Sequence, residues 1–105
     1  MNITKNTQGT DLQNRVWIEL SKIPQGSVVT YSYIAKKIGK PRAIRAVASA
    51  VRKNPHPIKV PCHRVVRKNG LVGEYSGPGG VAGKIKLLQK EGIAIKDGII
   101  LNKYA

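Results

Sequence analysis

Residues 30–52, TYSYIAKKIGKPRAIRAVASAVR, contain two short helical patterns separated by a turn. Thr30 is a favourable N-cap residue, and it precedes a helical pattern from Tyr31 to Ile38. The sequence Gly-Lys-Pro at 39–41 interrupts that helix, and a second helical pattern runs from Arg42 to Arg52. Two helices joined by a three-residue turn that contains glycine are typical of a helix-turn-helix. The sequence therefore predicts this motif here.

The second of these helices has an apolar face and a basic face. Its apolar residues recur at i, i+3, i+4 and i+7, which predicts that the helix packs on the core through Ile44, Val47, Ala48 and Val51. The opposite face is predicted to contact a partner through Arg42, Arg45, Ser49 and Arg52. The residues between the arginines are small, namely Ala46, Ser49 and Ala50, so that the helix backbone can approach another surface closely.

The rest of the chain is predicted to be mostly helical. Residues 10–22 and Val81–Glu91 form further helical patterns, the second one ended by Gly92. Two sequences, Asn-Gly at 69–70 and Asp-Gly at 97–98, lie between apolar pairs and predict hairpins. We therefore expect a mostly α fold with short β-hairpins, organised as one winged-helix-like domain over residues 1–105.

The charge of the chain predicts a polyanionic partner. The formal net charge is +14 and the sequence pI is about 10.4. No acidic residue occurs between Glu19 and Glu74, an interval that contains 12 lysines and arginines. Nucleic acid is favoured over a membrane surface, because no amphipathic helix rich in large apolar residues accompanies the charge. A basic face that is merely solvated is the remaining alternative.

Composition also predicts where the protein works. One cysteine cannot form an internal disulfide, and the polar N-terminus shows no apolar segment typical of a signal peptide. The longest apolar runs are far too short to span a membrane. We expect a cytoplasmic protein, associated with the nucleoid in a prokaryote or nuclear in a eukaryote.

The only cysteine lies in the sequence PCHRVV at residues 61–66. A free thiol is a weak nucleophile at neutral pH, and the neighbouring His63 and Arg64 are expected to favour its thiolate. A buried, inert Cys62 is the alternative that the residues alone leave open. Cys62, His63 and His56 lack the paired spacing of zinc ligands, so we predict no metal site.

These residues resemble the DNA-binding domain of the O6-alkylguanine-DNA alkyltransferases, also called methylated-DNA–protein-cysteine methyltransferases. The resemblance extends from about residue 15 to residue 92, and PCHRVV is its most specific motif. Around it, VVTYSYIA, RAIRAVASAVRKNP, GLVGEYSG and KLLQKEG follow in the order of the family. The resemblance implies repair of DNA by direct reversal, in which the protein takes an alkyl group from the O6 atom of guanine once and is thereby consumed.

The resemblance also implies a role for particular residues. Cys62 would accept the alkyl group, and His63 would link it through a water to Glu91 so that the thiol can lose its proton. Asn54 would hold the active-site loop to the helix-turn-helix. Tyr31 would assist departure of the guanine, and Arg45 would fill the gap that the flipped nucleotide leaves in the duplex. The base pocket is expected to be formed by Val65, Tyr75, Ser76 and Gly77.

Partners and alternatives follow from the same resemblance. Double-stranded DNA containing O6-alkylguanine is the expected partner, with no metal or cofactor and with the protein as a monomer. Relatives usually have an additional N-terminal domain, which is not expected here. A non-catalytic alkyltransferase-like protein is the main alternative, although such proteins replace the cysteine. A plain helix-turn-helix regulator is the other alternative, but it leaves PCHRVV and Glu91 unexplained.

Overall fold

Helix α1 (Asp11–Ser21) packs across a helix-turn-helix formed by α2 (Tyr31–Lys37) and α3 (Ile44–Arg52). This computed structural model describes residues 9–104. The N-terminal segment, for which the sequence predicts no signal peptide, lies outside the described residues up to position 8, as does Ala105. The fold class predicted from the sequence, a mostly α domain with a helix-turn-helix, is confirmed.

Local capping explains where α1 and α2 begin. The Thr10 hydroxyl accepts the Gln13 N–H, and the Gln13 side chain accepts the Thr10 N–H, which together form a capping box. The Thr30 hydroxyl accepts the Tyr33 N–H at 3.1 Å, as its position before the helical pattern predicts. Tyr31 is therefore fixed as the first residue of α2.

The orientation of α3 differs from the predicted one. Its buried residues are Val47, Ala50 and Val51, whereas Ile44 is 43% exposed and Ala48 is half-buried. The prediction that Ile44 belongs to the core and Ala50 to the outer face is therefore wrong. The indole N–H of Trp17 donates to the Ala50 carbonyl at 2.8 Å, so α1 contacts α3 on the Ala50 side. The first turn of α3 extends beyond this contact and remains in solvent.

The strands are short and pair across the chain. β1 (Val29–Thr30) pairs in parallel with β2 (Val65–Val66), and β3 (Ile95–Lys96) pairs antiparallel with β4 (Ile99–Ile100). Asp97 and Gly98 join the latter two strands with φ values of 52° and 76°, as expected for a hairpin turn with two left-handed residues. The prediction of a hairpin there is confirmed.

The other predicted hairpin does not form. The chain does turn at Gly70, whose N–H donates to the Arg67 carbonyl at 2.9 Å. However, the valines that precede the turn pair with β1, and Leu71 forms a bridge with Ile99 of the second hairpin. The local turn signal was correct, but both flanking segments have tertiary partners instead of each other.

Helix α4 (Gly80–Lys90) ends in a way that fixes the residue after it. Gly92 has a φ of +94° and donates its N–H to Gln89, while Ile93 donates to Leu88, which together form a Schellman motif. Ile93 and Leu88 are both buried in the smaller apolar cluster. Glu91 is thereby held at the end of α4, facing the rest of the domain. Among the residues that the structure describes, no helix has the length and apolarity needed to cross a membrane.

Candidate active site

Cys62 lies at the base of a small pocket, directly after a tight turn. Pro61 has φ −78° and ψ 67°, and the Cys62 N–H donates to the Val60 carbonyl at 2.7 Å, which is the geometry of an inverse γ-turn. A single turn of 3-10 helix, Cys62–Arg64, follows. Because proline is restricted to this φ, the turn gives the thiol a defined direction. Cys62 is only 4% exposed.

The pocket above Cys62 lies between the helix-turn-helix and the segment of residues 74–77, which we call the pocket loop. Its empty volume, counted out to the open mouth, is about 320 Å³. Both parts of the structure contribute to its lining, which consists of Tyr31, Ala48, Val51, Arg52, Cys62, Glu74, Tyr75 and Ser76. The thiol is thus reached through an opening that lies beside the recognition helix α3.

His63 is held by a carboxylate from the other end of the domain. Its Nε2 atom lies 3.0 Å from Oε2 of Glu91, and the His63 side chain is almost completely buried. Since a carboxylate can only accept, Nε2 carries the proton and Nδ1 retains its lone pair. Nδ1 is buried and has no hydrogen-bond partner among the described residues. His63 is therefore oriented as a base whose free nitrogen is available to a proton donor.

Glu91 is also held by Arg64, which sequence reasoning did not include in the site. Nε of Arg64 donates to Oε1 at 2.9 Å and Nη2 donates to Oε2 at 2.7 Å, while Nη1 donates to the Ile23 carbonyl at 2.7 Å. Burial alone would raise the pKa of Glu91, but the hydrogen bonds from Arg64 and His63 outweigh it and lower the pKa below its ordinary value. Glu91 is thus a carboxylate at neutral pH.

The resting thiol of Cys62 is protonated, in contrast to the expectation from its sequence neighbours. Burial raises its pKa above the ordinary value, although a hydrogen bond from Asn54 and the charge of Lys84 act in the opposite direction. The neighbouring His63 supplies no charge, because burial lowers its pKa despite the contact with Glu91. The charge of Arg64 is offset by its ion pair with Glu91. Ionisation of Cys62 therefore requires a base.

Asn54 lies between α3 and the cysteine turn. Its side-chain N–H donates to the Val60 carbonyl at 2.7 Å, and its carbonyl accepts the His56 N–H at 3.0 Å. Asn54 is 7% exposed and follows the end of α3 by two residues. This amide thus closes the segment 54–60 into a loop that brings Cys62 next to α3.

Comparison with known proteins agrees with this arrangement. The family model for the DNA-binding domain of 6-O-methylguanine DNA methyltransferase matches residues 11–93. The methylated-DNA–protein-cysteine methyltransferase of Mus musculus is 50% identical over 78 residues, which are 74% of this chain and 36% of that protein.

The chain belongs to the 6-O-methylguanine DNA methyltransferase family.

Two solved structures extend the comparison within this family's fold. OGT of Mycobacterium tuberculosis in complex with DNA superposes with a TM-score of 0.76 at 46% identity, covering 80% of this chain and 51% of that one. Atl1 of S. pombe, in complex with damaged DNA containing O6-carboxymethylguanine, gives a TM-score of 0.71 at 32% identity and covers 82% of this chain and 80% of that one. The chain spans between 23% and 49% of the length of the curated relatives it matches.

The two tyrosines expected at the methyltransferase site both line its pocket. Burial, followed by the charge of Glu74, raises the pKa of Tyr31, so its phenol remains a proton donor at neutral pH. Burial also raises the pKa of Tyr75, whose hydroxyl is buried without a partner among the described residues. The Tyr75 ring meets the His63 ring edge-on, with centroids 6.5 Å apart. Both aromatic side chains therefore border the space above Cys62.

The pocket loop is attached to the recognition helix and requires a glycine. The Ser76 hydroxyl donates to the Arg52 carbonyl at 2.7 Å, which ties the loop to the end of α3. A Cβ atom at Gly77 would lie 2.2 Å from the Tyr75 ring, so any larger residue there displaces that ring from the pocket. Gly77 does not itself line the pocket.

The predicted DNA-contacting residues divide into two groups. Arg45 lines a wider groove that continues from the pocket, together with Ile44 and Ala48 of the same helix, and Arg52 lines the pocket itself. Arg42 lies in the turn before α3 and Ser49 is half-buried, and neither borders the pocket or this groove. The contact surface is therefore rotated toward Ile44 and Ala48, in keeping with the altered orientation of α3.

Val65, Lys84 and Glu74 also differ from expectation. The Val65 side chain is fully buried in β2 and does not line the pocket, because β2 pairs with β1 in the core. Glu74 lines both the pocket and the groove and forms an ion pair with Arg67 at 2.5 Å. Lys84 is fully buried next to the thiol. The signal for Lys84 was its spacing, four residues before the buried Leu88 on the same face of α4.

Proposed function

We propose that this protein repairs DNA by transferring an alkyl group from O6 of guanine to Cys62 in a single turnover. The observation that supports the proposal most directly is the place of the thiol. Cys62 opens into a pocket lined by the recognition helix, and His63 beside it is held as a base by Glu91. A lesion within a duplex can reach this thiol only as a base flipped out of the stack.

The transfer begins with removal of the thiol proton. His63 Nδ1, which has the free lone pair, takes the proton from Cys62, through a water where the two do not meet directly. Because His63 contacts Glu91 directly, such a water belongs on the Cys62 side of the imidazole. The carboxylate of Glu91 stabilises the imidazolium that forms, which offsets the cost of a charged ring in a buried position.

The thiolate then displaces guanine from the alkyl carbon. A carbon–sulfur bond forms as the bond between that carbon and O6 breaks, and the electron pair remains on the guanine. Tyr31 donates a proton to the leaving base and recovers one from the proton that the thiol released. The products are unmodified guanine and a thioether on Cys62, so atoms and charge balance without a cofactor. A thioether is a poor leaving group, and for this reason the protein acts once.

The DNA surface is proposed to be α3 and the groove beside it. Arg45 and Arg52 are positioned to meet the duplex around the flipped nucleotide, since one lines the groove and the other the pocket. The net charge of +14 favours association with phosphates of any sequence. The expected single-domain organisation and monomeric state remain predictions.

The decisive experiment is mass spectrometry after incubation with excess duplex that contains O6-methylguanine. We expect every protein molecule to gain the mass of one methyl group, found on the peptide that contains Cys62. Cys62→Ala is the control and should bind the same duplex without gaining mass. A methyl group on another residue, or several turnovers per molecule, would contradict the proposal.

The second candidate is a protein that binds alkylated DNA without transfer. The fit to Atl1 favours it in one respect, because that match covers most of both chains. Cys62 and the orientation of His63 favour transfer. The same experiment separates the two, since tight binding of the lesion with no change in mass would identify the binding protein.

A further inference from the structure

Lys84 is the largest side chain that is completely buried in the domain, among the residues that the structure describes. Its ammonium donates to the Val65 carbonyl at 2.7 Å and to the Glu74 carbonyl at 3.1 Å. A buried ammonium is costly to maintain, and an apolar residue such as Leu88, one turn further along α4, would fill the space without that cost. The position of Lys84 therefore calls for a reason beyond packing.

The two carbonyls belong to the two sides of the candidate active site. Val65 follows the 3-10 turn that contains Cys62 and begins β2. Glu74 begins the pocket loop and precedes Tyr75, which lines the pocket. Residues 73–76 make no backbone-to-backbone hydrogen bond within the described part of the chain. The ammonium of Lys84 therefore replaces the missing backbone bonds and joins the loop to the strand behind the thiol.

The same ammonium acts electrostatically on Cys62. Its charge lowers the pKa of the thiol, and in return the thiolate raises the pKa of Lys84. Burial is the larger influence on Lys84 and lowers its pKa to about 8, so that the side chain remains mainly charged at neutral pH.

Other charged groups near Lys84 have partners or no charge. Glu74 and Arg67, which also act on Lys84, pair with each other at the surface. His63 is kept neutral by burial, and Arg64 is paired with Glu91. Lys84 is thus the charged group whose field acts on the thiol of Cys62.

We propose that Lys84 is a positioning residue of the transfer reaction, which holds β2 and the pocket loop together and whose positive charge favours the thiolate form of Cys62. The inference concerns the chemistry of the proposed alkyl transfer and in that sense rests on it. Its test, however, needs no DNA, so that the two proposals can fail separately.

The first test compares Lys84→Met with Lys86→Met. Methionine keeps the length of the side chain and removes the charge, and Lys86 lies on the exposed side of the same helix. The rate at which iodoacetamide alkylates Cys62, measured against pH, reports the fraction of thiolate. For Lys84→Met we expect the profile to move to higher pH by about one unit, which is about a tenfold slower reaction at pH 7. Lys86→Met should match the unchanged protein.

The outcome of this test separates a charge effect from a purely structural one. A folded Lys84→Met variant, judged by circular dichroism, that keeps the pH profile of the unchanged protein would overturn the proposal. If the thiol profile moves as expected while the unchanged protein transfers no methyl group from DNA, the inference about Lys84 stands and the proposed function fails.

A second measurement uses the unchanged protein, in case Lys84→Met does not fold. With lysines labelled by ¹³C at Cε, the Lys84 resonance can be titrated before and after Cys62 is alkylated with iodoacetamide. Alkylation removes the ionisable thiol, so the pKa of Lys84 should fall. An identical titration curve in both samples would overturn the proposal, whereas a lower midpoint after alkylation supports it.

Discussion

The imidazole Nε2 of His63 lies 3.0 Å from the carboxylate Oε2 of Glu91, although 28 positions separate the two residues in the chain. The contact depends on the Schellman end of α4 for Glu91 and on the turn at Pro61 for His63. It fixes the tautomer of the ring and directs the free Nδ1 lone pair away from the carboxylate. Much of the expected behaviour of the protein follows from this pair.

Replacing Glu91 with glutamine should slow alkyl transfer and leave DNA affinity unchanged. The amide can still accept from His63, but it does not stabilise the imidazolium, and general base catalysis contributes about 100-fold or more. The deficit should shrink at higher pH, because the thiol then ionises without the base. Single-turnover rates from pH 6 to pH 9 would measure this. Glu19→Gln, which alters a surface carboxylate paired with Lys22, is the control. An equal deficit at every pH would contradict the assigned role.

Replacing Arg45 with alanine should slow transfer from duplex DNA but not from free O6-methylguanine base. Arg45 lines the groove beside the pocket and is proposed to support the flipped state, which a free base does not require. Since flipping costs a few kcal/mol, we expect a loss of about tenfold or more on duplex. Arg42→Ala removes the same charge from the turn before α3 and should cost less. Equal losses on duplex and free base would assign Arg45 to folding or chemistry.

Replacing Tyr31 with phenylalanine should slow transfer from both duplex and free base. The burial that raises the pKa of Tyr31 keeps its phenol protonated, and donation to the leaving guanine is needed in either substrate. A loss of about 100-fold is expected for the removal of one general acid. Tyr33→Phe is the matched control, because Tyr33 lies on the same helix but outside the pocket. A defect confined to duplex would instead place Tyr31 in base flipping.

The affinity for unmodified duplex should depend strongly on salt and weakly on sequence. The logarithm of the association constant should fall with the logarithm of salt concentration at a slope of about −0.9 for each phosphate neutralised. Arg52→Ala, on the pocket side of α3, should make this slope less negative by about one phosphate. Fluorescence anisotropy between low and moderate salt would measure both. A slope near zero would show that α3 and its groove are not the binding surface.

The stability of the fold should decrease as pH falls below about 6.5. Burial lowers the pKa of His63, so the folded state keeps the ring neutral while the unfolded chain takes up a proton near the ordinary value. The unfolded state then binds more protons in this range, and the free energy of unfolding must fall on acidification. Urea denaturation at several pH values would show the effect, and His63→Gln should remove it over pH 5 to 6.5. A stability that rises on acidification would contradict the buried neutral histidine.

Local signals in the sequence were sufficient for the helices and for one hairpin. Thr10 and Thr30 cap their helices through hydrogen bonds to residues three positions away, and Asp97 and Gly98 adopt the left-handed conformations of their turn. Such interactions involve only neighbours, so composition and spacing predict them. PCHRVV was also sufficient to indicate the chemistry, because that motif is specific to one family.

Tertiary structure decided the orientation of α3, the ionisation of the thiol and the role of Lys84. Helical spacing alone places Ile44 and Ala50 equally well in either direction, and the contact of Trp17 with Ala50 chooses between them. The neighbours of Cys62 suggested a thiolate, but burial raises its pKa. Lys84 looks like one basic residue among many until α4 carries it beneath β2 and the pocket loop. Burial and contacts between distant segments exist only in the folded chain, and they set both desolvation and charge pairing.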